Sequence, residues 1–144
     1  MARVLDSFWL DLTLHHPNCD PNAITQALGL QPWFSAKAGQ TLGTITRNTT
    51  VCMFHFREGT KNEEFAPTLE DFIAFLQTNR AFLETLIAEG GAILLTLNKS
   101  IAFEDGVLLR LQLQPFFLEV LGDHGVGLEL QAWSANADLP QKNH

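Results

Sequence analysis

The chain predicts a single-domain α+β fold, a mostly antiparallel sheet with helices packed on one face. Three observations carry that expectation. Residues 4–15 and 126–133 alternate in a period of two, the period of a half-buried strand. Between them lie helical stretches with written starts and stops, one after Asp20 and one after Pro67. The two kinds of element also interleave, in the order strand, helix, strand, strand, helix, strand, helix, strand. That βαββαβαβ order has a ferredoxin-like flavour. A length of 144 residues suits one domain with its own core. The domain is expected over 1–133, with a polar, flexible tail over 134–144.

In the first strand Phe8, Leu10, Leu12 and Leu14 point one way, and Trp9, Asp11, Thr13 and His15 the other. Asp20 then reads as a helix N-cap and Pro21 as the first helical residue, where its missing N–H costs nothing. Ile24, Ala27 and Leu28 share a face. Gly29 can close the helix in the left-handed region, with Leu30 folding back and Pro32 blocking continuation. The stretch PWFSAKAGQTLG reads as a loop whose Trp33 and Phe34 tuck onto the core. Residues 44–46 and 50–56 read as two antiparallel strands around a turn at 47–49. In the second, Cys52, Phe54 and Phe56 oppose Val51, Met53 and His55.

EGTKNEEF reads as a polar loop. Thr68 is the expected cap of the next helix, with Asp71 three residues on. Its stripe of Leu69, Phe72, Ile73 and Leu76 is repeated by Phe82, Leu83, Leu86 and Ile87. A break at Thr78 and Asn79 would make this one bent helix or two. Residues 92–97 form a short apolar run, the mark of a buried central strand. IAFEDGVLLRLQ reads as a small hairpin or an extended excursion. Pro115 opens a last helix with Phe116, Phe117, Val120 and Leu121 inward and Gly122 and Gly125 at its end. The closing strand sets Val126, Leu128, Leu130 and Ala132 against Gly127, Glu129, Gln131 and Trp133.

Composition narrows function by exclusion. Hydrophobic residues make up 46% and charged residues 17%, a globular balance. No apolar run approaches the ~20 residues of a membrane helix, and the N-terminus lacks secretory-signal features. A cytoplasmic protein without a membrane partner is the expectation. Nine Lys and Arg against sixteen Asp and Glu leave a net charge of −7. Nucleic acid, which needs a positive surface, is therefore not an expected partner. Cys19 and Cys52 are expected as free thiols.

The opening strand, DPNAITQALGLQP with the nearby AKAGQ, the two-part helix and the closing FFLEVLGDHGVGLELQAW together resemble the bacterial family called domain of unknown function 4279. The resemblance spans residues 7–133. The chain departs from the family pattern by ending its last strand on Trp133, where the pattern has a tyrosine. The resemblance implies an α+β fold and supplies no established catalytic residues; it suggests an immunity-type role.

The residues offer four candidate chemistries. His16 with Cys19 and Cys52 with His55 have zinc-like spacing, but in a strand Cys52 and His55 point to opposite faces, so no metal or cofactor is expected. Cys19 beside a helix N-terminus could have a lowered pKa, opposed by the charge of Asp20. Phosphate-binding glycine patterns and nucleophile elbows are absent from the sequence. The fourth chemistry belongs to the open sheet face. Trp9, Asp11 and His15, with His55, Glu129 and Trp133, would converge there if their strands are neighbours. Trp33 and Lys37 on the following loop are further binding candidates. The expected function is a non-enzymatic protein-interaction or binding module, with self-association or a protein partner. The alternative is a small-ligand sensor or enzyme with a pocket on that face.

Overall fold

The computed structural model describes residues 7–60, 62–101 and 112–134. It is an α+β domain whose mostly antiparallel sheet carries its helices on one face. The elements run β1 (Phe8–His16), α1 (Pro21–Leu28), β2 (Pro32–Ala36), β3 (Thr41–Leu42), β4 (Ile45–Thr46), β5 (Thr50–Gly59), a 3-10 turn (Asn62–Glu64), α2 (Phe65–Thr78), α3 (Arg80–Ala88), β6 (Ala92–Ile101), α4 (Pro115–Asp123) and β7 (Val126–Ser134). The main sheet has the order β2-β5-β1-β6-β7. All its pairs are antiparallel except β6–β7, which are parallel and joined through α4. No helix among the described residues is long and apolar enough to cross a membrane.

β1 is the middle strand, and its alternation is seen as expected: Phe8, Leu10, Leu12 and Leu14 are buried, while Trp9, Asp11, Thr13 and His15 are half-buried on the other face. Above the buried face Ile24 and Leu28 of α1 meet Phe72 and Leu76 of α2, Leu86 of α3 and Phe117 of α4 in one cluster. The rings of Phe72 and Phe75 stack beside Phe56 at 5.3–5.9 Å between centroids. α1 is capped as its sequence requires. Asp20 accepts from the Asn22 N–H at 2.9 Å, Pro21 starts the helix, and Gly29 at φ 68° donates to the Thr25 carbonyl.

Several expectations need correction. Residues 32–36 form edge strand β2, because they pair with β5 through Phe34, Ser35 and Ala36. Residues 45–46 pair with 41–42 around Gly43, so the hairpin expected between 44–46 and 50–56 does not form. β5 instead pairs with β1 and β2, whose longer apolar faces bury more surface. α2 starts at Phe65, and Thr68 lies inside its first turn, donating to the Glu64 carbonyl at 2.7 Å. The long helix is two helices meeting at Asn79, whose amide donates to the Phe75 carbonyl. Ala27 and Phe116 are exposed, Gly122 lies within α4, and Ser134 belongs to β7. The hairpin expected in IAFEDGVLLRLQ and the tail over 135–144 lie outside the described residues.

The turn from α3 into β6 has no room for a side chain. A Cβ at Gly91 would stand 2.6 Å from the Leu86 carbonyl oxygen and 2.7 Å from that of His15. Both are backbone atoms, so no rotamer change relieves the clash. Gly91→Ala is expected to cost about 1–3 kcal/mol in urea unfolding. An unchanged midpoint would show that this turn yields freely.

Candidate functional site

The register lays out the open face of the sheet in rows. His55, Asp11, Thr96 and Glu129 form one row across β5, β1, β6 and β7. Glu58, Trp9, Asn98 and Gln131 form the next. On the other side of the first row come Met53, Thr13 and Leu94, then Val51, His15 and Ala92. Polar groups thus gather on two adjacent rows, away from the α1 end of the sheet.

A β-bulge creates part of this cluster. Asp11 pairs with His55 but Leu10 pairs with Arg57, so Phe56 and Arg57 together oppose one residue of β1. In an unbroken strand residues three apart point to opposite faces. The extra residue returns Glu58 to the face of His55. Arg57 is turned to the helix side, with its guanidinium 4.5 Å from the Phe56 ring centre and 4.0 Å from Asp71.

His55 therefore stands between two carboxylates. Its Nε2 is 3.0 Å from Glu58 Oε1 and its Nδ1 is 3.3 Å from Asp11 Oδ1. A neutral imidazole has one N–H and can donate to only one of them; an imidazolium donates to both. Asp11 is held from its other oxygen. Oδ2 accepts from the Asn98 amide at 3.2 Å, and the Asn98 side-chain oxygen accepts from the Trp133 indole N–H at 2.9 Å. Asn98 is only 3% exposed, so this amide is a fixed pin. It holds Trp133 beside Trp9, with ring centres 6.3 Å apart and planes inclined by 30°. In the neighbouring row Glu129 Oε1 accepts from Thr96 and Gln131 at 3.1 and 3.2 Å.

No family model, curated protein or solved structure matches this chain.

Five of the eight sequence-predicted site residues come together here: Trp9, Asp11, His55, Glu129 and Trp133. His15 shares the face but lies four residues along β1 from Asp11, roughly 13 Å away. Trp33 and Lys37 do not join the cluster. Trp33 is 63% exposed at a register break in edge strand β2, against Phe34, and Lys37 is exposed just beyond that strand. Sequence reasoning placed Gln131 on this face beside Glu129 but missed Glu58, Thr96 and Asn98. The alternation of Thr96 and Asn98 with Leu95 and Leu97 was a usable signal for two of them. Glu58 had no such signal, because its facing depends on the bulge.

The remaining titratable candidates serve the fold. His16 is buried, its Nδ1 accepting from the backbone N–H groups of Asn18 and Cys19 and its Nε2 donating to Glu89 at 2.7 Å. That ring ties the β1–α1 turn to the end of α3. Cys19 has its pKa raised, first by burial and then by Glu89 and Asp20, which opposes the reactive thiolate considered from sequence. Cys52 faces the helices and His55 the open face. Among the described residues no group of three or more His, Cys, Asp or Glu could hold a metal ion.

Two tests follow from this geometry. Asn98→Leu strips the Trp133 N–H and Asp11 of a buried partner. It is expected to cost about 1–3 kcal/mol and to shift Trp133 emission to the red in a Trp33→Phe background; an unmoved spectrum would mean the indole is held otherwise. The second test concerns Cys52, whose pKa is pushed from 9.0 to about 11 by burial, then by Cys19 and Asp20. Above pH 9 the unfolded thiol ionises while the folded one keeps its proton. Stability from this group is thus complete below pH 9 and lost as pH rises from 9 to about 11. Cys52→Val should flatten that alkaline fall in melting temperature, and parallel curves for the two chains would refute the assignment.

Proposed function

We propose that this protein is a non-enzymatic binding module whose open sheet face docks a protein partner through a cationic side chain. The observation that carries this reading is a face with three carboxylates and no lysine or arginine, where His55 is the one basic neighbour of Asp11 and Glu58. Asp11, Glu58 and Glu129 stand on one face. The lysine and arginine of the five strands, Arg57 and Lys99, pair with Leu10 and Phe8 and so belong to the helix side. A guanidinium or ammonium arriving at the face meets carboxylates set in place by Asn98, Thr96 and Gln131. It also meets the indole faces of Trp9 and half-exposed Trp133, which favour a cation, and arginine above lysine. The net charge of −7 acts in the same direction at longer range. The proposal extends to a cytoplasmic, immunity-type role and to kinship with the domain of unknown function 4279 family. Supporting the kinship is the run of motifs from residue 7 to residue 133.

A second reading, a small-ligand sensor or enzyme, has one observation in its favour. His55 between Asp11 and Glu58 is an acid–base arrangement. The recess beside it, about 370 Å³ bordered by Trp9, His55, Glu58 and Thr60, is wide-mouthed. The His55 and Glu58 side chains are 42% and 76% exposed, so water screens the charges that catalysis would exploit. The docking reading is the better fit.

An oligo-arginine peptide tests it. In a Trp33→Phe background the peptide should change the emission of Trp9 and Trp133, and the affinity should fall as salt is added. Asp11→Asn should weaken binding about tenfold, the loss of one charge-assisted hydrogen bond. Oligo-glutamate should leave the emission unchanged. Equal affinity for the Asp11→Asn chain, or no emission change with oligo-arginine, refutes the reading.

A further inference from the structure

The two edges of the sheet are built differently. β2 is a protected edge: five residues, opening on Pro32, with a register break at Trp33. Such features discourage pairing with another chain. β7 has none of them. It runs nine residues without proline, lysine or arginine, in unbroken parallel register with β6 from Val126 to Ser134. Among the described residues no strand pairs with its outer edge. Leu130 and Trp133 on it are 55% and 50% exposed.

We propose that β7 pairs with β7 of a second copy of this chain, antiparallel, about a two-fold axis through Leu130. The two sheets then join into one. The occupant and the register both follow from the strand. In an antiparallel pair within one sheet, residues of the same face stand opposite each other, so the axis must pass through a residue. Leu130 is the midpoint of Val126–Ser134, and centring there lets all nine residues pair. Leu130 then meets its own copy, and Leu128 meets Ala132. Glu129 meets Gln131, a carboxylate facing an amide donor. Trp133 meets Gly127, whose missing side chain leaves space for the indole. Moving the axis to Glu129 sets the two carboxylates against each other, which repels. Moving it to Gln131 sets Glu129 against Trp133 and shortens the ladder. The strand is self-complementary in charge and size in one register.

This pairing does not rest on the cation-docking reading, but it has a consequence for it. The axis is perpendicular to the sheet, so both open faces look the same way. A partner carrying two cationic segments could engage both sites at once.

Light scattering on the full chain should give twice the chain mass; a strict monomer overturns the proposal. Leu130→Lys should give a folded monomer with an unchanged far-UV circular dichroism spectrum, because Leu130 is exposed in the single chain, and a melting temperature that no longer depends on protein concentration. A dimer that survives this substitution also overturns it. The register has its own test in a Cys19→Ser background, where Cys52 stays buried. Leu130→Cys places two thiols across the axis with Cα atoms about 4.5–5.5 Å apart, within disulfide reach. It should crosslink under mild oxidant. Leu128→Cys lies roughly 14 Å from its copy and should not; equal crosslinking of the two refutes the register. Retained oligo-arginine binding by the Leu130→Lys monomer separates failure of this pairing from failure of the docking site.

Discussion

The sidedness of β1 is the constraint on which the rest of the structure depends. This strand is hydrogen-bonded on both edges, to β5 and to β6. Leu10, Leu12 and Leu14 lose all contact with water, each contributing about 1.5–3 kcal/mol of apolar burial. A slip of one residue would put Asp11 and Thr13 under the helices and the leucines in solvent. That would forfeit the burial and add the cost of an unpaired carboxylate in the core, several kcal/mol more. The strand therefore sits one way only. Its neighbours inherit its facing through the register, and the helices inherit the face they must cover.

What β1 leaves on the other side is a polar surface with local order. An exposed ion pair contributes little on its own, because water screens it and long side chains resist being fixed. The cluster around Asp11 differs in having a buried member. Asn98 is enclosed in the sheet, donates to Asp11 and accepts from Trp133. A buried amide satisfied on both ends is stiff, and it transmits that stiffness to the groups it holds. The carboxylates are consequently held on an ordered surface, which would lower the conformational cost of the cation docking proposed above.

The bulge at Phe56 and Arg57 shows how a small backbone irregularity redistributes charge. Without it Glu58 would lie on the helix side and Arg57 on the open face. The face would then carry its own counter-ion. With the bulge the acid joins His55, and the base pairs across to Asp71 of α2. The sheet thus separates its charges, an arrangement that costs some stability.

Much of the architecture was legible in the residues. The facing of β1 and β7, the cap and stop of α1 and the break at Asn79 are local matters, governed by side-chain period, capping chemistry and turn conformation. Those forces act within a few residues, so a sequence states them directly. The opposite facing of Cys52 and His55 followed from the same period. Which strands are neighbours is decided by total buried area across the domain, and no local signal records it. The short strand at 45–46 therefore found a different partner from the one its spacing suggested, and 32–36 became an edge strand through β5. The site followed the same division. The sequence alone determined that Trp9, Asp11, His55, Glu129 and Trp133 would leave the core. Only the tertiary structure decided that they meet, because their convergence needs β5, β1, β6 and β7 side by side, one bulge to turn Glu58, and the buried Asn98 to join Asp11 to Trp133.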